Sequence, residues 1–248
     1  MTEFLIAFLV YVCILTGLLI GVYLHRVMPP DHMKDDTRQI VNVAIGLVAT
    51  LAALVLGLMV ASVKTSFDAR AEEVRESASR IILLDRTLRQ YGPETRETRM
   101  LLGQLVEARV KSVWGREEDS GSTQAAAIES IRSRLFALAP GSEAQKWLYA
   151  RALTVAADLE QARWMLLEQS RSSIPRPFLV VLVFWLVVIF ATLGLFAPRN
   201  ATAYTIILIC AFSVATAIFL ILEMDQPYEG LLQISDAPLR NALSEIAR

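Results

Sequence analysis

The chain has 248 residues, of which 54% are hydrophobic, more than an ordinary soluble domain carries, and the excess falls in four runs. A formal net charge of -1, from 24 lysines and arginines against 25 acids, gives no global basic field, so nucleic acid is not an expected partner. Cys13 and Cys210 lie in separate apolar runs with no second thiol or histidine at ligand spacing, and imply neither a disulfide framework nor a zinc site.

The first apolar run covers residues 4–24. It lacks a basic stretch before Phe4 and ends in Tyr23, Leu24 and His25 instead of a small-residue cleavage site, so it reads as a membrane helix and not a signal peptide. The loop that follows holds both histidines, His25 and His32, near Asp31, Asp35 and Asp36. Without a third ligand at helical spacing this is a hydrated loop with neutralising charges, and no metal is expected.

The second run covers residues 40–63 and is the most informative. Asn42, Gly46, Ala49 or Thr50, Ala53, Gly57, Ala61 and Lys64 recur three or four residues apart and form one small or polar helix face. Two readings stay open. Such a face permits tight helix packing through a small-xxx-small ladder. It also suits a pore lining, because small residues leave a lumen clear while Asn42 and Thr50 offer dipoles to a partly dehydrated ion and Lys64 places charge at a mouth.

Between Lys64 and Pro177 the composition turns charged, alanine-rich and leucine-rich, punctuated by Tyr91-Gly92-Pro93, by residues 115–123 and by Pro140-Gly141-Ser142. The punctuation predicts four helices. The first continues the second span, because Phe67, Ala71, Val74, Ala78, Ile81 and Leu88 keep the spacing of a coiled-coil seam. Helices near 94–115 and 124–138 follow. The last starts at a capping box, Ser142 with Gln145, and repeats the seam at Leu148, Ala152, Val155, Leu159, Ala162 and Leu166 before Pro175 and Pro177 stop it. Asp85 is the charged residue that falls on the first seam, where an apolar residue belongs. An acid there needs a partner: Arg89 one turn later, or an interhelical arginine such as Arg151 or Arg163. Structural pairing that fixes register is expected over catalysis, since a lone carboxylate lacks the second group of acid-base chemistry.

The third and fourth runs cover residues 178–197 and 201–222. All four runs meet the roughly 20 residues needed to cross about 30 Å of hydrocarbon. Four spans put both termini and the inserted helices on one side. Lys64, Arg70, Arg75, Arg163, Arg171 and Arg176 on that side, against Arg26, Lys34, Arg38 and Arg199 on the other, favour a cytoplasmic bundle and cytoplasmic termini in an inner, or plasma, membrane. No P-loop, dinucleotide-binding glycine pattern, zinc-protease helix or nucleophile elbow occurs, and the spans hold almost no ionisable groups, so neither an enzyme nor a cofactor is expected.

After the fourth run come Glu223, Asp225, Pro227, Tyr228 and Gly230, then Ile234-Ser235-Asp236 and a Pro238-Leu239-Arg240 that opens an amphipathic helix. Acids at a membrane exit, a Pro-aromatic-x-Gly turn and a later Pro-Leu together resemble the segment after the last membrane helix of bestrophins. The order of elements, residues 42–68, and Leu84-Asp85-Arg86 through Tyr91-Gly92-Pro93-Glu94-Thr95 are likewise similar to the bacterial bestrophin-like family. The resemblance implies an oligomer, a pentamer in bestrophins, that conducts small inorganic ions through a pore lined by the second span. It sets Asn42, Gly46, Thr50, Ala53 and Gly57 near the conduction path and Glu223, Asp225, Pro227 and Tyr228 at a structured mouth. The second span lacks phenylalanine, unlike the bulky apolar bestrophin neck, and the acids are sparser than a bestrophin calcium clasp at Glu223, Asp225 and Asp236 would need. Gate and ion preference are therefore not carried over, and a calcium site at Glu223, Asp225 and Asp236 stands only as an alternative to helix capping and pairing with Arg240 or lysines near the bilayer.

The expected fold is all-α: four transmembrane helices with a helical bundle inserted between the second and third. Residues 1–63 hold spans one and two, 64–176 the helical domain, 177–222 spans three and four, and 223–248 a cytoplasmic tail. The expected function is an oligomeric ion channel or channel-like protein; the alternative is a membrane-anchored sensor or scaffold whose small-residue stripe packs the spans.

Overall fold

The computed structural model describes residues 2–28, 35–115, 121–169, 176–198, 200–228 and 230–247. Every regular element among them is helical: α1 (Thr2–Val27), α2 (Asp35–Tyr91), a 3-10 turn (Pro93–Thr95), α3 (Arg96–Trp114), α4 (Gly121–Phe136), α5 (Glu143–Gln169), α6 (Arg176–Phe196), α7 (Ala201–Asp225) and α8 (Ala237–Ile246). Four of these, α1, α2, α6 and α7, are long and apolar enough to cross a membrane. The chain divides into two compact units, Met1–Phe67 with Ser172–Leu232, and Asp68–Arg171 with Gln233–Arg248. Residues 223–232 thus belong with the apolar helices and residues 233–248 with the charged ones.

In the first unit, Val10, Ile14 and Leu18 of α1, Ala52, Met59 and Val63 of α2, Leu182, Leu186 and Phe190 of α6, and Ala211, Ile218 and Ile221 of α7 share one core. The large apolar residues turned outward, such as Phe8, Phe184 and Phe212, are more than half exposed, the pattern of helices whose outer surface meets hydrocarbon. Helices α1 and α6 run parallel: a Cβ built on Gly17 would lie 2.7 Å from the Val187 carbonyl oxygen, one on Gly21 would overlap the Ala191 carbonyl, and His25 reaches Leu195. Helices α1 and α7 run antiparallel, with Phe4 edge-on to Phe219 and Tyr11 edge-on to Phe212, both at 6.3 Å between ring centroids. These directions are those that first, third and fourth crossings of one membrane require. Asn200 starts α7 by accepting from the Ala203 N–H at 2.8 Å.

In the second unit, α2 and α3 form a helical hairpin about Gly92, whose φ of +144° only glycine adopts easily and whose successor Pro93 cannot continue α2. Thr95, fully buried, closes the corner: its hydroxyl lies 2.6 Å from the Leu88 carbonyl and 2.9 Å from that of Gly92. Val74, Ala78, Ile81, Leu84 and Leu88 of α2 are buried, as are Leu102, Val106 and Val110 of α3, Ile131 and Leu135 of α4, and Ala152 and Val155 of α5. The Ser142 hydroxyl caps α5 by accepting from the Gln145 N–H at 3.2 Å. The Gln145 side chain returns to the Gly141 N–H and also donates to the Tyr91 carbonyl, tying α5 to the end of α2.

Thr95→Val keeps the shape of the corner but removes its hydroxyl, taking a donor from the Leu88 carbonyl while the Gly92 carbonyl keeps the Thr95 N–H at 3.3 Å. The expected loss is about 1–2 kcal/mol, read as a lower midpoint in thermal unfolding of the full-length protein. An unchanged midpoint would mean that Gly92 and Pro93 alone set the hairpin.

Candidate functional site

With 3.6 residues per turn, the membrane half of α2 sorts into three sectors of chemistry. One is buried in the first unit through Ala52, Met59 and Val63, with Val55 and Leu56 beside them. A second is exposed and bulky: Val43, Leu47, Leu54 and Leu58 are each more than 60% exposed. The third holds Asn42, Gly46, Thr50, Ala53, Gly57 and Lys64, all exposed, with Val60 on the same face. A Cβ built on Gly46 or Gly57 meets no atom within 4 Å. At these two positions the stripe meets no other helix among the described residues. Within the first unit that close approach occurs elsewhere, at Gly17 and Gly21 of α1 and at Gly194 of α6, whose Cβ would overlap the Leu18 carbonyl.

Along the stripe, the Thr50 hydroxyl donates to the Gly46 carbonyl at 2.9 Å, which satisfies its proton and leaves its oxygen able to accept. The Lys64 ammonium lies 5.9 Å from the centroid of the Phe67 ring, one turn on. At the other end of α2, Arg38 reaches the Phe196 carbonyl at 3.5 Å and lies over its ring. His25 donates from Nδ1 to the Leu195 carbonyl at 2.8 Å. Two basic side chains thus cap the last carbonyls of α6, the end of a helix where positive charge is favoured. His32 and Asp31 lie outside the described residues.

The segment after α7 is closed by its first acid. Glu223 is buried, and its carboxylate accepts from the Leu231 N–H. The return needs Gly230 at φ +90°, where a Cβ would strike the same carboxylate. Pro227 is buried, while Asp225 and Tyr228 are half-buried. Asp236 belongs to the second unit, where it pairs with Arg240 one turn later. Among the described residues no three His, Cys, Asp or Glu side chains are grouped to hold a metal ion.

Asp85 is 2% exposed, and both its oxygens are engaged. Arg89 donates to Oδ2 at 2.9 Å, and Arg99 of α3 donates to Oδ1 at 2.6 Å and to Oδ2 at 3.4 Å. The local partner is the one the spacing names; the interhelical partner is Arg99, not Arg151, which is exposed, and the Arg163 side chain lies outside the described residues. Facing the hairpin corner, α3 carries Arg96 and Arg99 three residues apart, and nothing in their spacing from Asp85 selects the second. The same two arginines continue to α8: Arg89 donates to the Glu245 carbonyl at 3.1 Å and Arg99 to the Ile246 carbonyl at 3.3 Å. Trp114 donates from Nε1 to the Ile234 carbonyl at 2.7 Å.

No curated protein and no solved structure matches the chain. Comparison with protein families matches residues 12–239 to the Bestrophin-like domain, nearly the whole length. With its four long apolar helices, the chain is a membrane protein that belongs to the bestrophin-like family.

Proposed function

We propose that the protein is an oligomeric channel, or a channel-like protein, for small inorganic ions, in which the stripe of Asn42, Gly46, Thr50, Ala53, Gly57 and Lys64 from several copies surrounds a shared axis. The observation that carries this reading is the division of α2 into three sectors, since the stripe is exposed yet distinct from the bulky apolar sector suited to lipid. An amide and an ammonium facing hydrocarbon would each be costly, whereas the Thr50 hydroxyl, held by the Gly46 carbonyl, is tolerated in either setting. Around an axis they face one another and water, with small side chains leaving room. Membership of the bestrophin-like family supports the same arrangement, a pentamer by resemblance, with Glu223, Asp225, Pro227, Tyr228 and Gly230 shaping a mouth.

Residues 64–176 form a helical bundle inserted between spans two and three, with a coiled-coil seam joining its long helices, and residues 223–248 are the tail. Basic residues near spans two and three favour a cytoplasmic bundle and cytoplasmic termini in the inner membrane.

Two measurements on the purified protein test this. The mass after subtraction of detergent is expected to be that of a ring of several copies. In vesicles, Gly46→Leu and Gly57→Leu are expected to lower ion flux by about tenfold or more while the chain stays folded, because a Cβ at either position meets no atom within 4 Å. A monomer or simple dimer, or flux indifferent to both substitutions, would overturn the channel reading and favour a sensor or scaffold.

A further inference from the structure

Helix α8, Ala237–Ile246, is ten residues long, too short to persist alone in water. It is held on the second unit by two kinds of contact. One is apolar: Leu239 and Ala242 are buried, and Ile246 packs where a Cβ on Gly103 of α3 would lie 3.5 Å from it. The other is ionic. Asp85 grips Arg89 and Arg99, and each guanidinium extends a further N–H to one of the carbonyls at 245 and 246, where the C-terminus of α8 gathers partial negative charge. Arg86 adds a third cation 3.6 Å from the Glu245 carboxylate. Trp114 pins the segment that leads into the helix.

The arrangement is asymmetric. Asp85 is buried and fixes the arginines to the α2–α3 hairpin, whereas the side chains of Arg89 and Arg99 are 42% and 21% exposed, Arg86 is exposed and Glu245 is half-buried. Screening by salt therefore weakens the grip on α8 more than the grip on Asp85. The hairpin, meanwhile, keeps its own buried face in Leu84, Leu88, Leu102 and Val106, none of which belongs to α8.

We propose that α8 is an electrostatically latched strap, held at its C-terminal end by the Asp85-positioned arginines Arg89 and Arg99, which can leave and rejoin the second unit while the α2–α3 hairpin stays folded. The inference rests on the second unit alone and is independent of the channel reading. Once released, α8 unravels, so its backbone amides report the latch directly.

Hydrogen exchange by mass spectrometry on the full-length protein in lipid nanodiscs tests it, at low and at high salt, about 50 mM and 500 mM sodium chloride. In the wild type, amides of residues 239–246 are expected to exchange several-fold faster at high salt, with residues 102–110 unchanged. Arg89→Gln with Arg99→Gln removes two charge-assisted hydrogen bonds, and is expected to speed exchange of 239–246 by about 100-fold and abolish its salt response. Leu239→Ala is expected to speed exchange while keeping the salt response, since it removes packing only. If salt leaves the wild-type helix unchanged, or residues 102–110 lose protection together with 239–246, there is no separable strap. The salt series needs no variant, so misfolding of the double substitution would not protect the proposal.

Discussion

Gly21→Val is expected to destabilise the first unit by about 3 kcal/mol, with Gly194→Val close behind, whereas Gly46→Val should leave the isolated chain nearly unaffected. The difference follows from what a new side chain would meet. At Gly21 the first added carbon overlaps the Ala191 carbonyl and would lie 2.8 Å from its carbon and 2.9 Å from the Leu195 nitrogen, all backbone atoms of α6. A side chain can rotate away, but helical backbone cannot, so α1 and α6 must part. Parting costs dispersion contacts along the helices, including those of Ile14, Leu18 and Leu186. In lipid no hydrophobic driving force closes the gap again, because hydrocarbon fills it equally well. Thermal unfolding in detergent should rank Gly21→Val and Gly194→Val well below wild type and Gly46→Val beside it. Equal midpoints for all three would mean that α1 and α6 are not held by close backbone approach.

That contrast also marks how far the sequence could be read. The four crossings were legible because apolar length is a direct physical requirement for spanning hydrocarbon. The stripe on α2 was legible as a periodicity, but its role was not, since the buried sector of the same helix also uses alanine, at Ala52. Spacing separates faces without saying which one a neighbour occupies. Gly17 and Gly21 form a small-xxx-small pair as plain as any on α2, and close packing occurs at that pair. Thr95 and Glu223 act through backbone turns at Gly92 and Gly230, so their bonds depend on chain direction over several residues, which side-chain periodicity does not encode. The tail helix was legible as amphipathic; its berth on α3 was not, because two helices distant in sequence share it.

Asp85 is the strongest case of a residue whose anomaly was visible and whose environment was not. Asp85→Ala is expected to cost about 3 kcal/mol, at the lower end for a broken buried pair, because Arg89 and Arg99 keep some access to water, with side chains 42% and 21% exposed. The loss has two parts: a buried acceptor of three hydrogen bonds disappears, and the two guanidiniums are left close together without the charge that held them. A double-mutant cycle separates the partners. Arg99 meets both carboxylate oxygens and bridges two helices, so its coupling to Asp85 should exceed about 1 kcal/mol. Arg89 makes one bond to Asp85 from the same helix and is the more exposed of the two arginines, so its coupling should be smaller than that of Arg99. If the Arg99 cycle gives no coupling, the register of the α2–α3 hairpin is set by its apolar faces, and the buried charge serves only to hold the arginines toward α8.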